Sequence, residues 1–379
     1  MLRIGVDFHA FDGKFQGSRS HLIGLYRAMV ARCPDIHFVF FLDKASELRW
    51  LEGFALPNVT CVRMATRNPL IRLGWQLPLL RWRHRIDVMH TQYIVPFWGM
   101  KSTIVTIHDV LFEPYPQFFT PFFVWRSKRL FRWSAKVADV VMTVSEYSRT
   151  ELAKRYGVER RRIGLLLNAV DRQVFHPRAG HVDESVMDRR QLAKRRYILS
   201  VGRIEPRKDH ATLLRAYALL GPQSPPLVIV GQRDFGYGDF ERALKDLPVW
   251  CDVRVFSDVD DTELPVLMRH AQIFVYPSLA EGFGMPPLEA MACGAPVITT
   301  NTTALPEVIG DAGLTFQPGD HIDLAEKIGL LLSGQGLVAD MRQRGLERAA
   351  EFSWHNAATS FCDALKSLPH TTEKEWGGG

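Results

Sequence analysis

The sequence predicts an α/β protein built from two Rossmann-like, doubly wound units in series, and three observations predict it. Short apolar segments rich in Val, Ile and Phe alternate with helical or irregular stretches along both halves of the chain, the pattern of parallel sheets covered on both faces. The alternation breaks once, over residues 168–196, where charge is dense, Pro177 and Gly180 intervene and no apolar period is visible. The 379 residues suffice for two domains of ordinary size. The expected organisation is a first unit over 1–172, a linker over 173–196, a second unit over 197–352, a helix over 353–368 and a disordered tail over 369–379.

In the first unit, strands are expected at 2–8, 37–42, 59–64, 88–91, 103–108 and 140–145. The loop after the first strand carries Gly13 and Gly17 before a helical pattern over 21–32, and glycine there lets backbone approach a ligand closely. A second series follows at 197–201, 227–230, 253–256, 273–276, 296–299 and 314–316. In such folds ligands bind at the carboxyl ends of the strands, so two units facing across a cleft would enclose a substrate.

Composition narrows the class. Hydrophobic content of 46% and charged content of 23% are those of a globular protein. Residues 1–180 carry 27 Lys+Arg against 14 Asp+Glu, and the remainder carries 20 against 27, so the first half should face something acidic. The five cysteines, Cys33, Cys61, Cys251, Cys293 and Cys362, are odd in number, widely spaced and without zinc spacing, which points to a reducing compartment. No apolar run approaches the ~18 residues of a membrane span, and the opening residues read as a strand rather than a signal peptide.

The most informative stretch is SLAEGFGMPPLEAMACG, residues 278–294. It reads as strand end, glycine loop and helix, with Pro287 suited to the first helical position, Glu289 in the first turn and Gly294 just past the end. Backbone amides of Phe283, Gly284 and Met285 would then lie beside the positive end of a helix dipole, a place for an anion. Glu281 and Glu289 flank it, and an ionised carboxylate accepts the two O–H bonds that a vicinal diol donates. A phosphate on the amides with a ribose and a sugar on the two glutamates describes a nucleotide-sugar. A lone glutamate in such a position commonly does no more than complement the dipole or meet solvent. Following the first strand of the second unit, GRIEPRKDH offers Arg203 for paired hydrogen bonds to phosphate and Lys208 as a mobile point charge.

The string EGFGMPPLE resembles the Glu, seven residues, Glu signature of retaining glycosyltransferases of family 4, and GRIEPRK is similar to the family's diphosphate-holding segment. TNTTALPEVIGDAGLTFQPGD over 300–320, ADVVMTVSEYSRTEL over 138–152 and VTIHDV over 105–110 extend the likeness to about residue 365. The resemblance implies the two-domain GT-B fold, an acceptor-binding first unit, a nucleotide-sugar-binding second unit and a final helix that returns to the first. It implies that Arg203 and Lys208 hold the donor diphosphate and that Glu281, Gly282, Phe283, Gly284 and Met285 orient the sugar. It further implies that Glu289 binds the ribose, and that His108 lies at a strand end facing the donor sugar. A lone histidine is otherwise more often a structural residue. Gly17 and Ser18 would approach the phosphates or acceptor, although the family usually has a Gly-Gly pair where this chain has Gln16-Gly17.

Asp258-Val-Asp260, followed by Asp261, imitates a metal motif of a different glycosyltransferase fold, and the reading here is that no metal or other cofactor is used. Residues 68–85 and 122–136 mix Trp, Phe and Leu with Arg and Lys, which suits an anionic membrane surface, or equally apolar helix faces with snorkelling cations. No nucleic-acid motif is present. The expectation is a metal-independent, retaining hexosyltransferase at the cytoplasmic face of the inner membrane, peripheral to it. It would move mannose or a related deoxyhexose from a GDP-sugar to a lipid-linked oligosaccharide or polysaccharide. A UDP-sugar donor, a GT-B-type sugar-nucleotide epimerase and a non-catalytic two-lobed sugar-binding protein are the alternatives.

Overall fold

The computed structural model describes residues 1–9, 17–42, 53–66, 68–99, 101–194 and 196–368. The predicted tail and the loop containing Gly13 and Gln16 lie outside them. The chain divides into two compact units, Met1–Ala169 with the segment from Ser353 onward, and Val170–Phe352.

The first unit holds a parallel seven-stranded sheet, among the described residues, in the order β3-β2-β1-β4-β5-β6-β7. Its strands are β1 (Leu2–Phe8), β2 (Ile36–Leu42), β3 (Val59–Arg63), β4 (Val88–Gln92), β5 (Thr103–Thr106), β6 (Val140–Thr143) and β7 (Ile163–Leu165). Six match the expected segments, and β7 was not anticipated. It is a three-residue edge strand behind Arg160–Arg162, too short to show a period. Strands β1 and β2 are mostly apolar and, like β4 with its polar His90, Thr91 and Gln92, almost wholly buried, as a sheet covered on both faces requires. The helices are α1 (Gly17–Arg32), α2 (Pro69–Ile71), α3 (Leu77–Arg83), α4 (Pro121–Val137) and α5 (Glu146–Tyr156). A π-helical turn, Arg72–Gln76, joins α2 to α3. The final helix of the chain, Trp354–Lys366, packs on α1, where a Cβ on Gly24 would come within 2.0 Å of the Trp354 ring.

The second unit repeats the topology with six parallel strands in the order β10-β9-β8-β11-β12-β13. They are β8 (Ile198–Val201), β9 (Leu227–Val230), β10 (Val253–Phe256), β11 (Ile273–Tyr276), β12 (Val297–Thr300) and β13 (Leu314–Phe316), each at an expected place. The intervening helices are α6 (Asp183–Arg189), α7 (His210–Tyr217), α8 (Gly238–Lys245), α9 (Glu263–His270), α10 (Met285–Ala292), α11 (Leu305–Ile309), α12 (His321–Ser333) and α13 (Gln335–Glu351), which makes Trp354–Lys366 α14. The expected linker is not a free connection, because α6 packs on α9. Buried Asp183 accepts from Arg269 Nη1 at 2.7 Å and lies 2.8 Å from His270 Nε2. Charge density hid this helix, since its contacts to the unit are ionic as well as apolar.

In both sheets the strand order reverses beside the first strand, between β1 and β4 and between β8 and β11. Crevices at the carboxyl ends of these strand pairs are where open α/β sheets take ligands.

Candidate active site

At the switch point of the second sheet two loops meet, one after β8 and one after β11. Gly231 makes room for the first, since a Cβ there would lie 1.9 Å from the Gly202 carbonyl oxygen. The loop then makes a short turn, Pro206–Lys208, and Asp209, left-handed at φ 47°, caps α7 through a bond from the Thr212 amide. The loops are bonded to each other through Arg207, whose carbonyl accepts from the Leu279 amide at 2.8 Å and whose Nη1 donates to the Ala280 carbonyl at 2.7 Å.

Glu281 is the hub of the junction. Its Oε1 accepts from Lys208 Nζ at 2.5 Å, Ser278 Oγ at 2.6 Å and Tyr276 Oη at 2.9 Å, and lies 3.1 Å from Arg207 Nη1. Lys208 Nζ also donates to Tyr276 Oη at 2.5 Å. Burial alone would raise the Glu281 pKa, but the positive charges of Arg207 and Lys208 and the hydrogen bonds bring it down to about 2. Desolvation dominates at Lys208 and depresses its pKa to about 8 despite the carboxylate partner. The pair is thus an ionised carboxylate under a cation whose charge is only moderately secure at neutral pH. The sequence singled out Glu281 and Lys208. It missed Arg207, Tyr276 and Ser278, whose signals were a second cation beside Lys208, a tyrosine closing a strand and the serine opening the glycine loop.

Helix α10 begins at Met285, two residues before the predicted start, with Gly284 as its N-cap at φ 118°. A Cβ at Gly284 would approach Leu305 Cδ2 to 2.7 Å, so glycine is required both for the torsion and for space. Pro286 and Pro287 both fit the first turn, where no amide hydrogen is needed, and Gly294 follows the helix end at φ 77° as expected. Glu289 accordingly sits in the second turn. Burial, reinforced by the charge of Asp261, pushes its carboxyl up to about 7. Phe283 is buried, edge-on to Phe352. Arg203 stands apart from the hub, half exposed and held by Asp234 at 2.6 Å.

Asp258 and Asp260 have structural partners. Asp258 pairs with Arg190 at 2.8 Å, and Asp260 Oδ1 accepts from the Thr262 amide, the Thr262 hydroxyl and the Glu263 amide at the start of α9.

In the first unit, His108 lies just beyond β5, buried, with Nε2 2.5 Å from Gln92 Oε1. Burial and the neighbouring imidazoles hold it well below the usual histidine range, so it is neutral. Its ring meets the edge of His21, whose Nδ1 contacts Asn168 Oδ1 at 2.7 Å. His90 completes the cluster, bonded to Tyr26 Oη at 2.7 Å and Thr106 Oγ1 at 2.8 Å. The sequence reading missed His21 and His90, which come together only through the β1–β4 reversal. Gly17 opens α1, and Ser18 beside it is buried.

Comparison with known proteins meets this geometry at both units. Residues 15–174 match the family described as Glycosyltransferase Family 4, and residues 184–348 match Glycosyl transferases group 1. The O-antigen chain mannosyltransferase B of Escherichia coli is 34% identical over 278 residues, 71% of each chain. This chain belongs to glycosyltransferase family 4. The serotype-specific mannosyltransferase WbdA of Escherichia coli is 30% identical over 62% of the glycosyltransferase described here, which spans only 30% of that longer relative. In fold, it matches the structure of Anabaena Alr3699/HepE in complex with UDP and glucose at a TM-score of 0.73 and 19% identity, covering 97% of this chain and 100% of that one. The two Rossmann-like units of this glycosyltransferase are those of the GT-B fold.

Proposed function

We propose that this glycosyltransferase moves a hexose, mannose or a related deoxyhexose, from a GDP-sugar to a lipid-linked oligosaccharide or polysaccharide with retention at the anomeric carbon. The observation that carries the reading is the Glu281–Lys208 pair at the β8/β11 switch point, fixed by Tyr276, Ser278 and Arg207. Mannose and the O-antigen type of acceptor are supported by the names of the relatives at 30% identity and above.

In this reading the diphosphate lies at the N-terminus of α10, near the amides of Phe283, Gly284 and Met285, with Lys208 stabilising charge as it develops on the departing oxygen. Glu281 holds a sugar hydroxyl and Glu289 the ribose diol. Arg203 reaches the phosphates by leaving Asp234. The acceptor hydroxyl attacks the anomeric carbon on the face from which the diphosphate departs, the carbon–phosphate-oxygen bond breaks, and the hydroxyl proton passes to a phosphate oxygen. Gly17, Ser18 and neutral His108 belong to the first unit and serve the acceptor or the donor sugar as hydrogen-bonding groups. The reading asks for no metal, because Lys208 and Arg203 supply the cationic charge.

The test is a panel of GDP- and UDP-sugars, with and without EDTA, read by nucleotide release and by thermal stabilisation with free GDP and UDP. A nucleotide at ~100 times its dissociation constant should stabilise the native state by about 2.7 kcal/mol. GDP-selective stabilisation with EDTA-insensitive transfer is expected. UDP selectivity would replace the donor, release of an altered sugar-nucleotide without acceptor would indicate an epimerase, and sugar binding with no nucleotide effect would indicate a binding protein.

A further inference from the structure

We propose that Cys33 and Cys362 form a peroxide-sensitive dithiol whose oxidation locks the C-terminal helix α14 onto α1. The two residues are 329 positions apart in sequence, yet their sulfurs lie 3.7 Å from one another. A disulfide needs ~2.05 Å, so closure asks for under ~2 Å of approach by two side chains already in contact.

The backbone around Cys33 is held firmly. Its amide donates to the Met29 carbonyl at 2.9 Å where α1 ends, and its carbonyl accepts from the Ile36 amide at 3.1 Å and from Asn58 Nδ2 at 3.2 Å. Asn58 Nδ2 also reaches the Val30 and Ile36 carbonyls, which ties the α1–β2 turn to the start of β3. On the other helix, Cys362 is buried beside Ala358, Phe361 and Leu365, with Met29 Sδ 3.8 Å from its sulfur.

Access and chemistry divide the roles. Cys33 is only partly buried, between exposed Arg32 and Pro34, so a small oxidant can reach it. The hydrogen bond between the sulfurs lowers the Cys33 pKa, helped by Arg32, and raises that of Cys362. Cys33, the more accessible of the two sulfurs and next to Arg32, is the attacking thiolate, and buried Cys362 is the resolving thiol. The Cys33 thiolate attacks peroxide, breaking the O–O bond to give a sulfenic acid and hydroxide. Cys362 sulfur then displaces the hydroxyl from Cys33 sulfur, releasing water and forming the disulfide; overall, two thiols and one peroxide become one disulfide and two waters. The remaining cysteines are poorer candidates. Burial raises the pKa of Cys61 and of Cys251, and Cys293 is buried with its sulfur 3.7 Å from the Pro265 carbonyl. A transient, sensing disulfide is the kind that a reducing compartment permits.

The full-length reduced protein is treated with stoichiometric hydrogen peroxide under native conditions, then alkylated, digested and mapped. We expect a loss of about 2 Da, assigned to a cross-linked pair of peptides containing Cys33 and Cys362. The melting temperature should rise by several degrees, and dithiothreitol should reverse both changes. In Cys362→Ser, dimedone should label Cys33; in Cys33→Ser, residue 362 should stay unlabelled. Both thiols alkylating fully after peroxide, cross-links to Cys61, Cys251 or Cys293 instead, or a disulfide that forms only in urea would each overturn the proposal. Mapping the wild-type protein keeps the test valid even if a serine variant folds poorly, and no outcome depends on the identity of the donor.

Discussion

Glu281 and Glu289 belong to one sequence motif and occupy opposite electrostatic environments. Cations hold Glu281 at about 2, whereas burial and Asp261 hold Glu289 at about 7. If Glu289 must be ionised to accept from a ribose, and Lys208 must be charged to hold a diphosphate, then kcat/KM for donor rises with pH through about 7 and falls above about 8. Glu289→Gln should flatten the rising limb while weakening donor binding, and Lys208→Arg should carry the falling limb beyond the measurable range. A rising limb that persists unchanged in Glu289→Gln would remove Glu289 from donor binding. Stability follows a different profile. Glu281 has a folded pKa below its reference of 4.5, so its contribution is complete above that value and disappears as pH falls towards 2. Glu289, raised from 4.5, acts in reverse and costs stability increasingly from about 4.5 to 7. The geometry also selects the substitution with which to test Glu281. Alanine would leave the Lys208 ammonium buried without its carboxylate, a loss of fold as well as of function, whereas Glu281→Gln keeps an oxygen acceptor. Transfer should drop about 100-fold or more in Glu281→Gln, and the melting temperature should fall less than in Glu281→Ala, because the amide keeps the oxygen acceptor but not the charge that Lys208 and Arg207 meet. These two residues were legible because they sit in a compact motif. Tyr276 and Arg207 were not, since their contact with Glu281 exists only once β8 and β11 pair.

At the level of elements, the sequence located twelve strands, because apolar runs of β-branched residues in a doubly wound fold have few other uses. It failed where an element's reason lies in tertiary contact. Helix α6 depends on Asp183 meeting Arg269 and His270, β7 on pairing with β6, and the start of α10 on a left-handed Gly284 packed against Leu305. The same principle explains Gly24 in the middle of α1, where glycine costs roughly 0.5–1 kcal/mol relative to alanine. The Trp354 ring fills the place of its missing side chain, and that ring lies edge-on to His21, which in turn meets His108. Gly24→Ala should therefore destabilise the protein by about 1–3 kcal/mol despite the better helix propensity, because the indole must move. The measurement is chemical unfolding followed by Trp fluorescence. A stabilised variant would show that α14 does not rest on α1 through Trp354.

Across the whole molecule, the surplus of positive charge falls in the first unit and coincides with exposed aromatic side chains. Trp75, Trp82 and Phe122 are 71%, 79% and 68% exposed, and Trp125 lies under the guanidinium of Arg129 at 4.3 Å. The segment 69–83 turns Leu73 and Leu77 into the core, and Arg72 towards buried Asp7, while it presents Trp75, Leu79 and Trp82 to solvent. No described helix is long and apolar enough to cross a membrane. Exposed indoles beside arginines suit the headgroup boundary of an anionic bilayer, with each basic residue near the surface contributing on the order of 1 kcal/mol. The protein should sediment with vesicles containing anionic lipid and not with neutral ones, and binding should weaken sharply between low and physiological salt. Replacing Trp75 and Trp82 together with Ala should reduce vesicle binding roughly tenfold or more, while transfer to a water-soluble acceptor analogue remains near normal. Full vesicle binding by that variant would place the aromatic surface against another protein; equal loss of activity on the soluble acceptor would make it part of the acceptor site.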